Sequence, residues 1–154
     1  MSELDSGVSI TPSPAQGMVR LMLTVASIYA DVSRSLGLTT QQAQLLCAAR
    51  RSAAIGDLAT TMRCERSNVS HLLDRAADRG LIGRRAGERD GRVIVVELSP
   101  EGQEVVQRFM NALELRLTAA VADWPEKQRA AATSMLNEIV DSLDAGAVAP
   151  AETA

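Results

Sequence analysis

IGDLATTMRCERSNVSHLLDRAADRGLIGRRAGERDGRVIVVELSPEG, residues 55–102, strings two helices and a hairpin together in a fixed order. Asp57 to Arg63 gives two short turns of helix with Leu58, Ala59 and Met62 inward, and Cys64 with Glu65 makes the turn that follows. A second helix from Arg66 to Arg79 buries Val69, Leu72 or Leu73, and Ala76. Gly80 stops it, because glycine enters a left-handed cap without a Cβ penalty. Ile82 to Gly87 is a basic strand, Asp90-Gly91 a strong turn signal, and Val93 to Leu98 a dense β-branched run. Helix, turn, helix and hairpin predict a winged helix-turn-helix in a mainly α (α+β) chain.

Outward from this segment the periodicity becomes helical on both sides. Met18, Leu21, Met22, Val25, Ile28, Tyr29, Val32 and Leu36 recur at three-and-four spacing, which predicts an amphipathic helix from Ala15 to Leu36 that Gly37 ends. Thr39 and Gln42 have the spacing of a capping box for a helix through Ala49, with Leu45, Leu46 and Ala49 on its buried face. Downstream, Ser99-Pro100-Glu101 combines an N-cap, a first-turn proline and a first-turn acid. That helix runs through Val106, Phe109, Met110, Leu113, Leu117 and Val121. A last one starts near Pro125 and is expected to bury Ala132, Met135, Leu136, Ile139, Val140 and Leu143.

These terminal stripes are too long for a small winged domain to cover, so they predict a dimerisation region. The expected organisation is a disordered lead-in over 1–14, a winged helix-turn-helix over 39–98, a helical dimerisation region over 15–38 and 99–144, and a flexible tail over 145–154.

The chain has 154 residues and a net charge of -3, which by itself argues against a nucleic-acid partner. The distribution argues the other way. Between Arg50 and Arg92 ten arginines face six acids, whereas the rest of the chain holds six basic and thirteen acidic residues. Positive charge is concentrated on the helix-turn-helix and the hairpin.

Two cysteines, Cys47 and Cys64, lack the paired spacing of a zinc site and the density of a disulfide scaffold, and fit a reducing cytoplasm. No stretch has the length and apolarity of a membrane span, so a cytoplasmic protein without a membrane partner is expected. His71 is the only histidine, and neither a phosphate-binding glycine loop nor an HExxH sequence is present. An enzyme is not expected, and no metal or other cofactor is implied.

Arg66, Ser67, Asn68, Ser70, His71 and Arg75 occupy the side of the second motif helix that Val69, Leu73 and Ala76 leave free. They suit base and phosphate contacts: an amide for an adenine edge, guanidinium groups for guanine or phosphate, and short hydroxyl donors. Arg92 at the hairpin tip suits a narrow minor groove, with Asp90 expected to orient it through an ion pair. Arg84, Arg85 and Arg89 would line the wing and meet phosphates, although strand alternation sends Arg84 and Arg85 to opposite faces. Asp74 and Asp78 are read as solvated acids, and Cys47 and Cys64 as small buried hydrophobes.

Asp57-Leu58-Ala59, Ser67 to Arg75, Arg79-Gly80-Leu81-Ile82, Asp90-Gly91-Arg92 and Val96 to Gly102, in this order and spacing, resemble the MarR (multiple antibiotic resistance regulator) family of bacterial transcription factors. Glu65 stands where that family commonly has a Ser, Thr or Asp cap. The resemblance implies a homodimer that binds a pseudo-palindromic operator on double-stranded DNA, acts as a repressor, and is released by a small-molecule effector or by thiol oxidation. It also implies an effector pocket between the helical arms and the winged domain, for which Met22, Ile28, Tyr29, Leu46, Phe109 and Met110 are the candidate walls. The rival reading is a winged-helix protein-docking module without specific DNA binding.

Overall fold

The computed structural model describes residues 13–88 and 90–147. In chain order the elements are α1 (Pro14–Ser35), α2 (Thr40–Ala48), β1 (Ala53–Ala54), α3 (Ile55–Met62), α4 (Arg66–Asp78), β2 (Ile82–Ala86), β3 (Ile94–Leu98), α5 (Pro100–Ala119) and α6 (Glu126–Ala147). The chain divides into one compact unit that ends at Leu115 and another that begins at Arg116. No described helix is long and apolar enough to cross a membrane.

In the first unit the core is aliphatic, as a chain with 2% aromatic residues requires. Leu45, Leu46, Leu58, Val69, Leu73 and Val96 are fully buried, and Phe109 of α5 joins them. Each such side chain contributes about 1.5 to 3 kcal/mol by leaving water. Tyr29 of α1 meets the Phe109 ring edge-on at 4.8 Å, so the two ends of this unit share one core with the helix-turn-helix.

The helix ends follow local chemistry. Thr39 accepts from the Gln42 amide while the Gln42 side chain accepts from the Thr39 amide, the reciprocal box expected. Ser13 and Gln16 repeat that arrangement at the start of α1, so Pro14 belongs to the helix rather than to the lead-in. Gly80 takes φ +69° and closes α4, with the Leu81 amide reaching the Ala76 carbonyl. Both Leu72 and Leu73 are buried, which resolves the alternative the sequence left open.

The sheet is antiparallel in the order β1-β3-β2. Its pairing runs from Ile82 opposite Leu98 to Ala86 opposite Ile94, and β1 adds Ala53 opposite Val96. The two-residue β1 was not expected; two alanines carry almost no strand signal of their own. It also moves the start of α3 from Asp57 to Ile55.

Ser99 knots the sheet to α5. Its hydroxyl donates to the Gly80 carbonyl at 2.6 Å and accepts from the Gly102 amide at 3.0 Å, while its own amide donates to the Leu81 carbonyl at 3.1 Å. Only glycine fits at 102, because a Cβ there would collide with the Leu81 carbonyl group. On another side, Arg79 donates to the Gly37 carbonyl at 2.9 Å and pins the end of α4 to the turn before α2.

The second unit contains α6 and the turn before it. The expectation that this helix buries its apolar stripe is not met within one chain: Met135, Leu136, Val140 and Leu143 are exposed, and only Ala132 and Ile139 are partly covered. Ala145 to Ala147 continue the helix, while residues 148–154 of the expected tail and 1–12 of the expected lead-in lie outside the described residues.

Candidate nucleic-acid interface

The α4 helix buries Val69, Leu72, Leu73 and Ala76 against the core, and the spacing of those four dictates what faces out. At about 100° per residue, the line opposite the buried face runs through Ser67, His71, Asp74 and Asp78, with Asn68 and Arg75 on one flank and Arg66 and Ser70 on the other. The exposed side is polar and cationic over its first half and acidic over its second. Among the described residues Arg66 and Arg75 enter no ion pair, so their guanidinium groups are available to an anion.

Glu65 is the N-cap residue and makes no side-chain cap hydrogen bond, in contrast to Ser13 and Thr39. The first amides of α4 therefore point outward without a side-chain acceptor, next to Arg66, Ser67 and Asn68, which are all exposed. Ser70 is half-buried, and its hydroxyl donates to the Arg66 carbonyl at 3.0 Å. Its one proton is committed there, so of the two serines Ser67 is the better placed hydroxyl donor.

The wing turn is built differently from the ion pair expected. One Asp90 carboxylate oxygen accepts the backbone amide of Arg92 at 2.9 Å, and the Val93 amide returns to the Asp90 carbonyl at 3.0 Å. Asp90 shapes the turn as a short acceptor for a nearby amide, and among the described residues the exposed Arg92 side chain enters no ion pair. Gly87 closes the loop: its amide reaches the Val93 carbonyl at 2.8 Å, and a Cβ on it would press within 2.9 Å of the Asp90 carbonyl oxygen.

Arg84 and Arg85 point to opposite faces, as alternation requires, and both are already occupied. Arg84 shares the core side with Ile82 and pairs with Asp74 of α4 at 2.6 Å. Arg85 lies on the other face, where it meets Glu97 diagonally across the ladder at 3.1 Å and Glu88 at 3.6 Å. Neither is a bare wing cation, and Asp74, exposed as the sequence suggested, also serves as the partner of Arg84. Arg89 lies outside the described residues. Sequence reasoning also overlooked Arg63, which takes φ 50° between α3 and α4; nothing marks a left-handed position when the residue is not glycine or asparagine.

No protein-family model matches the sequence, and no curated protein is significantly similar to it. Solved structures are. The apo form of E. coli MarR superposes with a TM-score of 0.72 at 15% identity, over 82% of this chain and 96% of that one. The fold is that of MarR. A point mutant of S. aureus MepR, bound to an oligodeoxyribonucleotide, gives a TM-score of 0.60 at 18% identity over 85% of this chain and 98% of its own. Bordetella bronchiseptica BpsR, described for the regulation of its DNA binding by 6-hydroxynicotinic acid, gives 0.66 at 19% over 86% and 96%.

In this version of the MarR fold the six apolar residues expected to wall one effector pocket are divided among the core, the surface and two separate cavities. Leu46 and Phe109 are fully buried, and Ile28, partly buried, packs against the core to which they belong. Met22 is 60% exposed on α1. Tyr29 borders a cavity of about 420 Å³ with Gln44, Cys47 and Met62, whereas Met110 borders another of about 530 Å³ with Arg50, Gln103 and Val106. Of the three aromatic residues, Phe109 and Tyr29 are used in the core, whereas Trp124 is exposed.

Cys47, half-buried, has its thiol pushed above the ordinary value by burial, and the Tyr29 hydroxyl and the Arg50 cation offset only part of this. Burial also raises the Tyr29 hydroxyl well above the usual phenol range, with Cys47 adding to the effect. A thiol held protonated is a poor nucleophile, in keeping with a packing role.

Proposed function

We propose that this chain is a DNA-binding transcriptional regulator, acting as a homodimer and repressing by occupying a pseudo-palindromic operator. The observation that carries the reading is the start of α4. Uncapped amides, Arg66, Ser67 and Asn68 are gathered at one exposed helix tip, with Arg92, which enters no ion pair among the described residues, at the turn of the adjoining hairpin. A helix tip of this kind suits phosphate and base edges in a major groove, and an unpaired guanidinium on a hairpin suits a minor groove. His71 and Arg75 extend the groove-facing surface. MepR bound to an oligodeoxyribonucleotide supports the DNA partner, and BpsR supports a small-molecule effector.

The dimer is supported by the uncovered apolar residues Leu21 and Met22 on α1 and Met135, Leu136, Val140 and Leu143 on α6, which a second copy would shield. On this reading α1, α5 and α6 form the dimerisation region and 39–98 the reading head. The protein works in the cytoplasm as a binder and not as an enzyme. An effector that prefers one head spacing needs a coupling of only about 1 to 3 kcal/mol to change occupancy several-fold or more.

Fluorescence anisotropy with labelled duplex from the gene's own upstream region, competed against random duplex at several salt concentrations, tests the proposal. Specific binding that weakens steeply with salt is expected. Equal affinity for all duplexes, or none, would overturn it in favour of a protein-docking module.

A further inference from the structure

We propose that Asp74 and Arg84 form a positioning pair that sets the wing against α4, so that an acid on the groove-facing side of this helix strengthens duplex binding. The inference rests on the DNA-binding reading above. Asp74 lies on the outward line of α4, three residues after His71 and next to Arg75, where a bare carboxylate would repel phosphates. Instead its Oδ1 is 2.6 Å from Nη2 of Arg84.

The place of Arg84 in the sheet explains what this contact controls. Arg84 sits opposite Val96, which is fully buried and is also paired with Ala53 of β1. Beyond that rung the hairpin leaves the core: Arg85, Ala86, Glu88 and Asp90 to Ile94 are all exposed. Two side-chain tethers hold the departing ribbon. Arg85 with Glu97 acts within the sheet, whereas Arg84 with Asp74 is, among the described residues, the one side-chain hydrogen bond between wing and α4. The tilt of the ribbon at this rung decides where Arg92, eight residues along the hairpin, lies relative to the tip of α4. Both partners are substantially solvent-exposed, so the pair adds little to folding, and variants lacking it should fold.

The test is a set of duplex affinities for D74A, R84A and the double variant, each measured with Arg92 present and in an R92A background. With Arg92 present, D74A and R84A should each weaken binding about three- to tenfold, with the double variant no worse than either. In the R92A background these effects should vanish, because the pair acts through Arg92. If Arg84 were a phosphate ligand restrained by Asp74, D74A would tighten binding; that result, or an unchanged D74A, overturns the proposal.

Hydrogen exchange of amides 86–94 in the DNA-free protein separates this failure from failure of the DNA reading. Faster exchange in D74A and R84A supports the tether even if the parent protein binds no duplex, whereas unchanged exchange refutes it.

Discussion

Replacing Gly102 with alanine sets helix propensity against packing, and the two predict opposite signs. In an ordinary helix the change favours the folded state by about 1 kcal/mol. Here the new Cβ would collide with the Leu81 carbonyl oxygen and lie 3.0 Å from its carbon. Both are backbone atoms, so no flexible side chain can yield. Relief requires the first turn of α5 to withdraw from the sheet, away from the Ser99 bonds to Leu81 at 3.1 Å and Gly80 at 2.6 Å.

Losing those two bonds costs about 1 kcal/mol each. Residual overpacking costs about 1 to 3 kcal/mol more. After the propensity gain the net destabilisation is about 2 to 4 kcal/mol. Urea titration followed by circular dichroism, at one protein concentration for both proteins, measures it. A Gly102→Ala protein as stable as the parent, or more stable, would refute the packing argument.

Arg63→Gly should stabilise the fold by about 0.5 to 1 kcal/mol, because φ 50° costs arginine more than glycine; a lowered urea midpoint would contradict this. Arg92→Ala should weaken binding to the upstream duplex by about 1 to 3 kcal/mol while leaving the urea midpoint in place. Unchanged affinity at moderate salt would remove Arg92 from the interface. The thiol of Cys47 and the hydroxyl of Tyr29 are both raised by burial, so the folded state keeps these protons after the unfolded chain has released them. Stability from the two groups is complete below the ordinary thiol value of about 8.5 and declines as pH rises beyond it. A stability curve that climbs between about pH 8 and pH 10 would contradict that sign.

What could be read from the chain depended on how local the cause was. The Thr39 and Gln42 box, the Gly80 stop and the Ser99-Pro100 start are set within four residues, and all stand as expected. Ser13-Pro14 had the same kind of signature but was hidden by its Ser- and Thr-rich surroundings. The sheet strand Ala53-Ala54 and the pairing of Asp74 with Arg84 depend on partners ten or more residues away, and no short-range pattern announces them. Strand alternation did foretell that Arg84 and Arg85 part company. It could not foretell that each finds a carboxylate, because that depends on how α4 and β3 sit beside β2. Counting arginines along the hairpin therefore overstated its free charge: among its described arginines only Arg92 enters no ion pair.

The change from cationic to acidic along α4 limits how much sequence one copy could distinguish. From Arg66 to His71 the helix advances only about 8 Å, at about 1.5 Å per residue. That length spans roughly two to three stacked base pairs, and three pairs specify a word that recurs about once in 64 positions of random DNA. On the proposed reading, most of the information needed to single out one promoter has to come from the second copy and from groove width sensed by Arg92. Addressing would then belong to the assembly, with each subunit contributing only a syllable.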